Sequence, residues 1–126
     1  MKYAFSLAAL IAVLALAVSP AVATGDGGGG GGDWYGYSPG YWKNHLDAWP
    51  SGVSPDDQLC QYLRCAPCGT TVLEALRLRG GGQRALMRIG AAAFLNTAYS
   101  GDYVLTFGQV HTYFCNGWKY ALETWD

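Results

Sequence analysis

The chain has 126 residues, eight Lys and Arg against nine Asp and Glu, a net charge of −1, and four cysteines. That length argues for one domain. The near-neutral balance argues against a nucleic-acid or anionic-membrane partner, which would call for a basic patch.

Lys2 followed by the uncharged run Tyr3 to Val18 reads as a secretory leader, with Ser19-Pro20 as the break and Ala21-Val22-Ala23 as the cleavage site. A membrane anchor is the alternative, but the run is short for a full span. Processing after Ala23 leaves 103 residues with seven basic and nine acidic side chains. No later segment is apolar for long enough to span a bilayer. The expected location is therefore secreted or extracellular. No Asn-x-Ser/Thr acceptor occurs, so N-glycosylation is not expected. Cysteines Cys60, Cys65, Cys68 and Cys115 on such a route should form two disulfides. The three pairings are not ranked by sequence. The expectation is only that Cys115 reaches Cys60 or Cys65, which would staple the last helix to the first.

Residues 24–32 are mostly glycine and read as a flexible tether, with a single domain over 33–126. Asp33 to Pro50 carries Trp34, Tyr35, Tyr37, Tyr41, Trp42 and Trp49. Gly36, Pro39, Gly40 and Pro50 argue for an ordered loop, with one short helical turn over Trp42 to Ala48. Ser54-Pro55-Asp56-Asp57 reads as a helix start leading to a helix as far as about Arg64, with Leu59 and Leu63 inward. Thr71-Val72-Leu73-Glu74 is a capping box opening a second helix to about Arg79, which Gly80-Gly81-Gly82 ends. The third helix, about Gln83 to Ala98, is apolar nearly all round and so is expected to be central. Its run Gly90 to Ala93 should let neighbouring helices approach closely. Tyr99 to Asp102 reads as a turn and Tyr103 to Leu105 as a short extended piece. Thr106-Phe107-Gly108-Gln109 is a second capping box, with Val110 and Phe114 inward. Asn116-Gly117 reads as a break before a last short helix over Trp118 to Trp125. The expected fold is all-α: a small bundle of four to five short helices with an ordered aromatic N-terminal loop, stabilised by disulfides.

The string PGYWKNH at Pro39 to His45, followed by AWP at Ala48 to Pro50, resembles a family of secreted, largely uncharacterised domains, mostly bacterial. The likeness continues through the leucine-rich helix at Thr71 to Leu76, the glycine break and AAAFLNTAY ending at Tyr99. Members often carry a cysteine just before the motif, where this chain has Tyr37, so the family's disulfide arrangement is not carried over. The resemblance implies an extracellular, compact helical domain and no established activity.

Several constellations have residue types that could carry chemistry. Gly36-Tyr37-Ser38-Pro39-Gly40 fits G-x-S-x-G in form, but Pro39 has no backbone N–H to offer an oxyanion, and a Ser-Pro-Gly turn is the plainer reading. Cys65-Ala66-Pro67-Cys68 has redox spacing without the surrounding strand–helix–strand pattern. Cys60, Cys65 and Cys68 match a ferredoxin spacing without its sheet. Cys65, Cys68, His111 and Cys115 could form a zinc set, but oxidation to disulfides competes. No metal and no cofactor is therefore expected. His45 could act as a base with Asp47 as orienter and Lys43 holding an anion, but no second set of acids or nucleophiles accompanies them. Lys43, Asn44 and His45 are better read as side chains that lock the loop. Trp34, Tyr35, Tyr37, Tyr41 and Trp42, with Lys43, Asn44 and His45, form the candidate binding set. Trp42 and Trp49 are expected to close over the third helix, leaving Trp34, Tyr35 and Tyr37 exposed for stacking on sugars. The expected function is a non-enzymatic surface or matrix domain with an extracellular polymer, such as a glycan or wall polymer, or a surface protein as partner. The alternative is a small hydrolase or metal-dependent enzyme centred on His45.

Overall fold

A computed structural model describes residues 32–124, with side chains described as far as Tyr120. The expected leader and all of the tether except Gly32 lie outside the described residues. Among the described residues the fold is all-α, with five helices. They are α1 (Pro39–Asn44), α2 (Leu59–Tyr62), α3 (Val72–Arg77), α4 (Gln83–Tyr99) and α5 (Phe107–Thr124), with a 3₁₀ turn at Leu46–Ala48. Among the described residues no helix is long and apolar enough to cross a membrane.

The long helix α4 is the spine. Its residues Leu86, Met87 and Gly90 to Asn96 are buried, as expected for a helix that is apolar nearly all round. Leu59, Leu63, Val72 and Leu76 close over it, together with Val110, Phe114 and Trp118 from α5. The small residues on α4 let α5 come close. A Cβ on Gly90 would stand 2.6 Å from Phe114 Cδ2 and 3.1 Å from Leu63 Cδ1.

Both capping boxes form. Thr71 Oγ1 accepts from the Glu74 N–H, while the Glu74 carboxylate accepts from the Thr71 N–H. Thr106 and Gln109 repeat the exchange before α5. Three boundaries differ from expectation. The aromatic segment is helical earlier than expected: Ser38 Oγ accepts from the Tyr41 N–H and Pro39 occupies the first turn, so α1 begins there rather than at Trp42. The Ser54 signal makes a turn instead of a helix. The Pro55 and Asp57 carbonyls accept from Leu73 and Val72, and the Leu59 N–H donates to Thr70 O, so α2 starts only at Leu59. Lastly, α5 runs unbroken through Asn116-Gly117. A Cβ at Gly117 would lie 2.8 Å from Leu86 Cδ2, so this glycine serves a helix contact instead of ending the helix.

Two disulfides complete the frame. Cys60 pairs with Cys68 and Cys65 with Cys115, at Cα separations of 5.2 and 5.4 Å. Cys115 thus reaches Cys65, one of the two expected partners, and ties α5 to the segment after α2.

The two bridges close loops of different length, 8 and 50 residues apart in sequence. In the chain-entropy model the longer loop stabilises more. Cys65→Ser with Cys115→Ser should cost roughly 4 kcal/mol, and Cys60→Ser with Cys68→Ser about 2.5 kcal/mol, measured by urea unfolding. Gly90→Ala gains helix propensity but meets a rigid ring, so a net loss of about 1–3 kcal/mol is expected in the same assay.

Candidate functional site

The N-terminal segment returns to the end of α4 through backbone pairing. The Trp34 N–H donates to Asp102 O at 2.8 Å, and the Val104 N–H donates to Trp34 O at 2.9 Å. This places Trp34 beside Tyr103, in a parallel bridge. The chain then passes over α4 at Gly36, whose φ of +89° suits glycine. A Cβ there would stand 2.3 Å from Asn96 Nδ2 and 2.7 Å from Tyr103 Cε1.

Asn96 is the buried polar residue of the core among the described residues, 3% exposed. Its Oδ1 accepts from the Tyr37 N–H and from Trp42 Nε1–H, both at 2.9 Å. Its Nδ2 donates to Tyr37 O at 3.1 Å. One carboxamide therefore holds both the backbone of residue 37 and the indole of α1. Trp42, fully buried, passes the lock on: its carbonyl accepts from Trp49 Nε1–H at 2.9 Å.

Around this hub the rings gather. Tyr37 and Tyr41 stack at 3.8 Å, and Tyr41 stacks on His45 at 4.1 Å. Trp34 meets Tyr37 edge-on at 5.0 Å. Tyr99, on the last turn of α4, touches Trp34, Tyr37 and Trp42 at 5.5, 5.7 and 5.5 Å, yet remains 46% exposed. The result is a shelf of rings with Tyr99 at its outer edge.

The candidate residues therefore separate. Trp42 closes over α4 as expected, with Trp49 half-buried beside it. Trp34, Tyr35 and Tyr37, expected to stand exposed, are half-buried and packed against the core, because the 34–103 bridge and the Asn96 bonds draw the segment inward. Lys43 is half-buried and Asn44 exposed, and neither side chain makes a hydrogen bond among the described residues. Of those three, His45 alone engages the loop, its Nδ1–H donating to Tyr41 O at 2.8 Å. That commits to the backbone a ring nitrogen that Asp47 would otherwise orient. Asn96 and Tyr99 did not stand out in the sequence. A lone Asn near the end of an apolar helix is the available signal, since it needs partners if buried.

An open groove of about 400 Å³ lies between α2 and α5, lined by Tyr62, Arg64, Phe107 and His111 among others. The Arg64 N–H donates to His111 Nε2 at 3.4 Å, and His111 lies 3.8 Å from Cys115 Sγ. All four sulfurs are in disulfides, so the thiolates a zinc set would need are consumed. Among the described residues no group of His, Cys, Asp and Glu is placed to hold a metal. At the groove's edge, Tyr62 O–H donates to Asp57 Oδ2 at 2.6 Å. That bond, with the Ser54 N–H, holds the Asp57 carboxyl below its ordinary value. Burial, then the bond to Asp57, pushes the Tyr62 phenol up to about 12.

No family model, curated protein or solved structure matches the chain.

Asn96→Ala would leave the Trp42 indole and both Tyr37 backbone groups without their partner. A loss of about 2–5 kcal/mol is expected in urea unfolding, with a red shift of tryptophan emission. The Asp57–Tyr62 pair also sets a pH dependence. The Asp57 contribution is complete above the ordinary carboxylate pKa and is lost as pH falls through its lowered folded value. The Tyr62 contribution is complete below pH 10 and is lost as pH rises towards about 12. Tyr62→Phe should therefore flatten the alkaline fall in unfolding midpoint above pH 10.

Proposed function

We propose that the chain is an extracellular, non-enzymatic binding domain that takes a glycan or wall polymer on its aromatic shelf. The observation that carries this reading is Tyr99: almost half exposed while its ring rests on Trp34, Tyr37 and Trp42. A flat apolar face with a polar edge suits the faces of sugar rings. Holding it in place through Asn96 lowers the entropy lost on binding. Two disulfides in a small domain support the extracellular location. The aromatic set proposed for binding is Trp34, Tyr37, Tyr41 and His45 with Tyr99 added. Trp42 supports it from beneath, and Tyr35 packs against the core.

The enzyme reading centred on His45 has less behind it. The His45 ring is stacked on Tyr41 and bonded to that residue's carbonyl, and the Ser38 hydroxyl is engaged as a helix cap.

Sedimentation with insoluble cellulose, chitin and peptidoglycan tests the shelf. Wild type should co-sediment with at least one polymer, and Tyr99→Ala should weaken that binding by about tenfold, a stacking contact of roughly 1–1.5 kcal/mol. Unchanged binding by a folded Tyr99→Ala protein would remove the shelf from the site.

A further inference from the structure

A second surface lies at the other end of α4. From Ala75 to Gly101 the chain has four arginines, Arg77, Arg79, Arg84 and Arg88, and no acidic residue. The turn between α3 and α4 brings them together. Arg88 donates from Nη1 to Leu78 O at 2.9 Å and from Nη2 to Gly80 O at 3.1 Å, which fixes the turn. Arg84 lies over the same glycine, its Cδ 4.0 Å from where a Gly80 Cβ would stand. Arg77, Arg79 and Arg84 are exposed and make no ion pair among the described residues. The nearest preceding acid, Glu74, is engaged in its capping box. A protein with a net negative charge thus gathers uncompensated guanidinium groups on one turn.

We propose that this turn is a docking surface for an acidic polysaccharide, with Arg77, Arg79 and Arg84 binding its carboxylate or sulfate groups and Arg88 positioning the turn. Guanidinium forks match those planar and tetrahedral anions with paired N–H donors. The surroundings choose among polyanions. No aromatic side chain occurs from residue 75 to 93, so the turn itself gives nucleic-acid bases no stacking platform of its own. Among the described residues the exposed large apolar side chains are Leu46, Tyr99 and Phe107, none of them on this turn, so a lipid surface gains no insertion at the turn. The surface shares no residue with the aromatic shelf, so either can fail without the other.

The test is affinity electrophoresis and column retention of the full chain on polygalacturonate and on dextran sulfate, with neutral dextran as control. Polygalacturonate reads carboxylate recognition, and dextran sulfate reads sulfate recognition. Wild type should be retained on at least one anionic polymer at about 25 mM salt and released as salt rises through a few hundred millimolar. The combined variant Arg77→Gln, Arg79→Gln, Arg84→Gln should bind about tenfold or more weakly, with its thermal midpoint unchanged. Arg64→Gln, by the α2–α5 groove, should retain wild-type binding to the acidic polymer. No retention on either anionic polymer at low salt would overturn the proposal. So would equal retention of the triple variant, or an equal loss in Arg64→Gln, which would report bulk charge alone. Tighter binding to duplex DNA or to vesicles containing phosphatidylserine would overturn it in favour of those partners.

Discussion

The arrangement depends on one carboxamide. Asn96 sits in a helix whose inner face is otherwise apolar, where an unpaired polar group would cost about 1–3 kcal/mol. It is satisfied chiefly by a segment almost sixty residues earlier, which brings a peptide unit and an indole to it. The chemistry requires an amide. Oδ1 takes two donors while Nδ2 serves an acceptor, which a carboxylate, lacking the donor, cannot do. The requirement extends outward. Gly36 must lack a Cβ for the chain to pass Asn96, and Trp42 must keep its N–H directed at Oδ1. A short N-terminal stretch without regular structure of its own is thereby made part of the core.

This lock explains why rings rather than charges define the N-terminal surface. Once Tyr37 and Trp42 are held, Trp34 is positioned by its bridge to Tyr103, and Tyr99 is left between them. The motif side chains with the most obvious chemistry, Lys43, Asn44 and His45, lie at the C-terminal end of α1 instead. The helix ends on them, and His45 uses its ring to close that end. Their position follows from the Ser38 cap and Pro39, which set where the helix starts and hence which residues fall on its exposed last turn.

Much of the fold was legible where the determinant is local. The capping boxes at Thr71 and Thr106 are patterns that a four-residue window contains, and the burial of α4 follows from the absence of a polar face. The departures share a cause: each signal has two uses and the tertiary contact selects one. Ser-Pro is both a turn and a helix start, and at Ser38 it starts α1, whereas at Ser54 it makes a turn because residues 70–73 take the backbone partners. Asn116-Gly117 is a break in isolation and a helix contact when Leu86 lies opposite. The site was less legible for the same reason. Half-burial of Trp34, Tyr35 and Tyr37 comes from pairing with residues 96–104, and the weight of Asn96 and Tyr99 comes from those same contacts. Neither is visible in the local order of residues.

The two proposed surfaces stand at opposite ends of one rigid element, and that geometry bears on how a polymer would be held. Arg84 and Tyr99 are both exposed on α4, fifteen residues apart. At about 1.5 Å per residue they are separated by roughly 22 Å along the axis, and at 3.6 residues per turn they lie only about 60° apart around it. A polymer passing over the elements that bury the middle of α4 would meet stacking rings at one end and guanidinium groups at the other. Each contact alone is weak, since exposed charge pairs contribute little and a single ring face contributes about a kilocalorie. Joined on one helix, the second contact becomes intramolecular once the first has formed, and the rigidity of α4 holds the span constant. A polymer combining ring faces with regularly placed anions would then be favoured over a neutral glycan, which engages only the shelf, and over a flexible polyanion, which engages only the turn.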